Sequence, residues 1–111
     1  MILNPGEVYL VETPFHQRQG AKVRPAIILL DSGDDDFLGI PVTTVGRPHA
    51  LDVSIQDLVH AGLRLPSFAR LPKIALLRKL DIRRRLGDLS RSDWLEVKNK
   101  LCGILCRTHG E

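Results

Sequence analysis

Lys22-Val23-Arg24-Pro25-Ala26-Ile27-Ile28-Leu29-Leu30 sets a cation and a proline directly ahead of an unbroken apolar run. Pro25 fixes its own φ and biases Arg24 towards extended geometry, while Ala26 to Leu30 have the length and branching of a strand covered on both faces. The stretch predicts a loop handing over to a buried strand, with Arg24 held at the lip of the core. A second apolar run, Phe37-Leu38-Gly39-Ile40-Pro41-Val42, ends in Thr43-Thr44. The Asp/Gly turn between the runs predicts antiparallel neighbours, which brings a guanidinium and a hydroxyl to one end of a sheet. That turn, Asp31 to Asp36, is oxygen-rich, but it lacks the spacing and closing glutamate of a calcium loop. Turn preferences account for it.

Working outward, Gly6 to Glu12 has strand composition between Pro5-Gly6 and Thr13-Pro14, and the polar stretch His16 to Lys22 reads as an exposed loop joining the first two strands. Gly46-Arg47-Pro48-His49 is a second loop at the Thr43-Thr44 end, and Leu51 to Ile55 alternates as a half-exposed strand does. Gln56 to Leu63 fits a helical turn closed by Gly62. Ser67 to Leu71 resumes strand character between Pro66 and Pro72, with Ile74 to Leu77 extending it. Arg84 to Leu89 predicts one more short strand, entered through a basic turn at Asp81-Ile82-Arg83. The last element is an amphipathic helix: Ser90-Arg91-Ser92-Asp93 supplies capping oxygens, and Trp94, Val97, Leu101 and Ile104 recur at helical spacing. About six short strands and one terminal helix predict a mainly β (α+β) fold, a small barrel with the helix packed on it.

At 111 residues the chain is expected to be one domain, able to bury a core without disulfides or a structural metal. The net charge is only +3, yet residues 64–85 hold eight Lys/Arg against one acid, whereas residues 1–63 hold four against eight. Such clustering is a polyanion footprint if the side chains share a face and a solvated surface if they do not. Cys102 and Cys106 lie four apart in the helical segment, where thiols pair poorly. Reduced thiols, no signal segment and no membrane-length apolar stretch predict a soluble cytoplasmic protein. Cys102, Cys106 and His109 lack a fourth ligand, so no metal site or cofactor is expected.

In order and spacing, Gly6-Glu7-Val8-Tyr9-Leu10, the loop His16 to Gly20 followed by Arg24-Pro25, Pro41-Val42-Thr43-Thr44, Pro66-Ser67, Arg70-Leu71 and Ile82 to Leu89 resemble the MazF/PemK family of type II toxin-antitoxin ribonucleases. The resemblance covers nearly the whole chain. It implies an SH3-like β-barrel, a homodimer, metal-independent cleavage of single-stranded RNA, and neutralisation by an antitoxin, expected here to be acidic. It also implies candidate catalytic residues: Arg24 in the family's Arg-Pro motif, Thr43 at the end of the third strand, and Arg70 and His16 as in PemK-type members. One departure stands out. Two positions after the equivalent of Arg70, PemK-type members carry an aspartate proposed as general base, and this chain has Pro72.

RNA cleavage without a metal needs a base for the 2′-OH proton, charge stabilisation on the phosphate oxygens, and an acid for the leaving oxygen. Arginine suits the second role through its fixed fork of donors, and Thr43 can donate to another oxygen. His16 is the one first-loop group that exchanges a proton near neutrality. Phe15, Arg18, Gln19, Lys22, Thr44, Arg47 and Lys73 are the candidate RNA-binding residues, Phe15 being the one aromatic in a candidate binding loop. Other readings stand beside these. Arg24 can cap the barrel by bonding carbonyls, Thr43 and Thr44 are ordinary strand residues by propensity, and Arg83-Arg84-Arg85 alternates faces, so at most two share a surface. The alternative function is a non-catalytic RNA- or protein-binding module on the same barrel, as in the related CcdB toxins.

Overall fold

A computed structural model of the protein describes residues 1–14, 21–45 and 50–106. Among these, seven strands form one antiparallel sheet: β1 (Glu7–Pro14), β2 (Ala21–Asp31), β3 (Asp36–Thr43), β4 (Asp52–Ser54), β5 (Phe68–Arg70), β6 (Ala75–Arg78) and β7 (Ile82–Asp88). A short helix, α1 (Leu58–Ala61), follows β4, and α2 (Arg91–Leu105) ends the fold. The order is β4-β5-β3-β2-β1-β7, with β6 also on β3. The mainly β architecture with a C-terminal helix is the one the sequence predicts.

The long central strands are buried on both sides because the predicted apolar run supplies both. Ile27, with Val8, Ile40 and Val42, packs beneath α2 and β5, while Ala26 and Ile28 pack with Leu3, Tyr9, Val11 and Phe37 on the opposite face. The Asp31 to Asp36 turn uses its own oxygens. Ser32 Oγ donates to Asp34 Oδ1 at 2.7 Å, and the Asp36 and Gly33 amides donate to Asp34 and Asp31.

Three boundaries differ from the sequence reading, the first being that β2 already begins at Ala21, so Lys22 to Pro25 are strand paired with β1 rather than loop ahead of Ala26. A 3-10 turn at Leu71–Lys73, holding Pro72, splits the Ser67 to Leu77 segment. β5 therefore pairs with Val42 and Thr43, and β6 with Asp36 to Gly39, along the same strand. β7 begins at Ile82 rather than Arg84, because Arg78 donates twice to the Asp81 carboxylate, at 2.9 Å each, and completes the preceding turn earlier.

Backbone contact closes the sheet into a barrel. β4 and β7 are its two ends. Gly62 (φ +75) ends α1 so close to β7 that a Cβ there would lie 2.0 Å from the Leu86 carbonyl oxygen, and a Cβ on Gly87 would lie 2.5 Å from the His60 oxygen. His60 Nδ1 adds a hydrogen bond of 2.8 Å to Asp88 O. Nearby, Ser90 caps α2 by accepting from the Asp93 amide, and the buried Asp93 carboxylate accepts from the Gln56 and Asp57 amides, fastening the helix to the segment that leads into α1.

Candidate active site

Strand alternation sorts the residues at one end of the sheet onto two faces. Ala26 and Ile28 belong to one core and Ile27 to the other, so Arg24 falls on the face of Ala26. Val42 belongs to the core beneath α2, so Thr43 faces the opposite way, the same way as Arg24. The β2–β3 pairing ends at Ala26 and Pro41, and Arg24 and Thr43 each lie two residues beyond that pair on their strands. Thr43 is the register partner of Phe68 on β5. Arg24, Thr43 and Phe68 thus form one row on the same face of three neighbouring strands, each half-buried. Arg70, two residues beyond Phe68, shares that face.

β3 stops where the Thr43 hydroxyl oxygen accepts a hydrogen bond from the Val45 amide at 3.1 Å. This leaves the hydroxyl proton available to donate to an oxygen of a ligand. Arg70 is less available. Its Nε stands 3.7 Å from the Oδ2 of Asp52, its register partner on β4, whose side chain is only 1% exposed. Arg70 is therefore anchored at the flank of the row by a buried carboxylate.

On the other side of the rim an open cleft of about 370 Å³ lies between the ends of β1, β2, β3 and β7 and the segment from Gly62 to Leu65. Lys22, Arg24, Arg64 and Arg84 line it together with Thr43, Thr44 and Ser67, and none of its described lining residues is an acid, a histidine or an aromatic. Ser67 is buried and donates its proton to Leu65 O at 2.7 Å, so its oxygen is left as an acceptor.

The basic segment does not share one face. Arg70 pairs with Asp52, Arg78 with Asp81, Lys79 with Asp31, Arg83 with Glu12, and Arg85 with both Glu7 and Asp88. The Asp88 carboxylate raises the Arg85 pKa above its ordinary value, and Asp81 does the same for Arg78. Arg64, Lys73 and Arg84 have no carboxylate partner among the described residues. The Arg83-Arg84-Arg85 run splits as alternation requires: its outer two members are held by acids, and Arg84 opens onto the cleft.

Of the residues singled out from the sequence, Arg24, Thr43, Thr44 and Lys22 come together at this end of the sheet. Arg70 sits beside them, while Lys73, exposed in the 3-10 turn, lies away from the cleft lining. His16, Phe15, Arg18, Gln19 and Arg47 lie outside the described residues. Arg64, Arg84 and Phe68 are not among the candidate site residues of the sequence, where Arg84 enters only as one of three consecutive arginines. Arg64 and Arg84 were hidden in a uniformly basic segment, and only the β3–β5 register reveals Phe68 as the neighbour of Thr43.

The sequence model of a family described as PemK-like, MazF-like toxin of type II toxin-antitoxin system matches residues 4–105. A search of curated proteins finds no match. Among solved structures, a MazE–MazF crystal structure (Form-II) from Deinococcus radiodurans is similar with a TM-score of 0.75 at 18% identity, covering 97% of this chain and 99% of that one. An endoribonuclease in complex with its cognate antitoxin from Mycobacterial species gives 0.73 at 18%, covering 96% and 98%. The Mycobacterium tuberculosis toxin MazF-mt6 gives 0.72 at 19%, covering 92% and 98%.

Proposed function

Because the chain belongs to the PemK-like, MazF-like toxins of type II toxin-antitoxin systems, we propose that it is an endoribonuclease whose active site is the row of Arg24 and Thr43 with Arg70 at its flank. The 2′-OH oxygen of the substrate attacks the adjacent phosphorus as the bond to the 5′ oxygen breaks, leaving a cyclic phosphate and a free 5′-OH. Arg24 donates to the equatorial oxygens as charge develops there, and the oriented Thr43 hydroxyl donates to another. The observation that carries this reading is that Arg24 and Thr43 take the same face at one end of the sheet, each two residues beyond the Ala26–Pro41 pair, and line one cleft.

No carboxylate or histidine stands among the described lining residues to take the proton from the 2′-OH. Pro72 stands where the PemK-type aspartate would be. We assign the base role to His16, which the resemblance to PemK-type members singles out and which lies outside the described residues.

The protein acts as a homodimer and is held inactive by an acidic antitoxin. Dimerisation is supported by a row of leucines across β2, β3 and β6, in which Leu30 pairs with Leu38 and Leu38 with Leu76. Leu30 is 52% and Leu76 66% exposed, Leu76 on the edge strand β6, and association would cover them. The acidic partner is supported by the acid-free lining of the cleft, so its affinity is expected to fall with salt.

The test is incubation with a long RNA in excess EDTA, followed by mapping of the new 5′ ends. Discrete cuts bearing 5′-OH ends are expected. RNA left intact by a protein that still binds it would replace this reading with that of a non-catalytic binding module, which the absence of a carboxylate in the described lining would then explain.

A further inference from the structure

Leu10 of β1 pairs with Pro25 on one side and Arg84 on the other, giving a second cross-strand row, Pro25–Leu10–Arg84. This row lies on the sheet face opposite Arg24 and Thr43, because Leu10 alternates with Tyr9 and Val11, which face the Arg24 side. Arg64 approaches the same cleft from the loop that follows α1, whose position is set by the backbone contact between Gly62 and Leu86. Arg64 and Arg84 are exposed, and neither meets a carboxylate among the described residues, in a chain where most cations of the same segment do. Two guanidinia left unneutralised over an acid-free cleft are matched to phosphate oxygens.

We propose that Arg64 and Arg84 form a second phosphate-binding subsite, across the rim of the sheet from Arg24 and Thr43, which holds the RNA strand away from the bond that is cut. The occupant is the phosphodiester backbone rather than a base. The described lining offers no aromatic face for stacking, and its floor of Leu10, Pro25 and Leu86 offers no hydrogen-bonding edge from its side chains. The subsite therefore contributes affinity and register without sequence preference, while the choice of cleavage sequence is made elsewhere. This inference rests on the RNA-cleaving reading above.

The test compares wild type with Arg64→Ala, Arg84→Ala and the double variant, each first checked for an unchanged thermal melt. Binding is measured by fluorescence anisotropy with an oligonucleotide made uncleavable by 2′-deoxy substitution at the cut site, and cleavage is measured in single turnover. Each substitution is expected to weaken binding about tenfold and to lower the salt slope by about one. The cleavage rate at saturating protein and the pattern of cut sites should stay unchanged. As the substrate is shortened one nucleotide at a time, the penalty of Arg84→Ala should vanish at the length at which its phosphate is lost. Wild-type affinity in the double variant, or a shift in the cut sequence, would overturn the proposal. So would variants that keep RNA affinity but lose affinity for poly-glutamate, since the cleft would then be an acidic-peptide site. A wild-type protein that neither binds nor cuts RNA overturns the functional reading itself, an outcome separable from failure of the two arginine variants alone.

Discussion

Arg24 and Thr43 lie on one face at the same end of the sheet, each two residues beyond the Ala26–Pro41 pair on its strand. Neither residue reaches this position through a long-range loop. Arg24 lies within β2 opposite Val11, and Thr43 ends β3 opposite Phe68, so the flanking strand pairs hold both residues at this end of the sheet. Arg24→Ala is expected to lower kcat by about 10² to 10³, the effect of removing a donor aimed at developing charge. Arg24→Lys should recover little, because an ammonium lacks the fork. Thr43→Val, which removes one neutral donor, should lose about tenfold. Single-turnover cleavage measures all three, and wild-type rates in Arg24→Ala would remove the assignment.

Gly62 joins barrel closure to the cleft it lines. Its φ of +75 and the Leu86 carbonyl oxygen 2.0 Å from where a Cβ would stand leave room for no other residue. Gly62→Ala should destabilise by about 2 kcal/mol or more, with RNA affinity falling as the loop carrying Arg64 is displaced. Urea unfolding paired with anisotropy checks both effects.

Asp93 is 1% exposed, and its carboxylate takes the Gln56 amide at 3.0 Å and the Asp57 amide at 2.9 Å. Asp93→Ala strands both donors and should destabilise by about 2 to 3 kcal/mol, whereas Asp93→Asn, which keeps one accepting oxygen, should lose less. Equal urea midpoints for the two variants would show that the hydrogen bonds are not what Asp93 contributes.

Leu76→Arg places a charge at the β6 end of the leucine row. If that row is the surface between two copies, the variant should be monomeric by light scattering at tens of micromolar, roughly where a weak interface would already assemble, with an unchanged melt of the isolated fold. A variant that stays dimeric moves the interface elsewhere.

The Asp31 carboxylate is held well below the ordinary range, first by the Lys79 ammonium at 2.8 Å and then by the Leu3 and Gly33 amides. Because the folded value is depressed, its contribution to stability is complete above the unfolded value of about 3.9 and declines as the pH falls from there towards the folded one. Wild type and Asp31→Asn should therefore differ most in urea midpoint at neutral pH and converge in acid. A constant difference from pH 7 to pH 2 would assign the effect to something other than this carboxylate's charge.

Much of this protein is legible locally. The central strands, the α1 turn closed by Gly62 and the capped C-terminal helix follow from residue types a few positions apart, and so does the placement of Thr43 at the end of β3. Pro72 misled because a proline between two short apolar runs is consistent with one interrupted strand. Only pairing along both halves of β3 makes it a 3-10 turn between two strands. The basic segment leaves two readings open for a related reason. Charge counted along a chain says nothing of the acids that reach it from elsewhere, and Glu7, Glu12, Asp31 and Asp52 all come from distant strands or their ends.

Sequence by itself determined the strands, their polar ends and the family resemblance, because alternation, capping and proline geometry act over a few residues. The tertiary structure decided which cations stay free, which face each strand-end residue takes, and that Arg64 and Arg84 share a cleft with Arg24 and Thr43. Those outcomes depend on strand register and on backbone contact between α1 and β7. Both join residues far apart in the chain, whose separation no local pattern encodes.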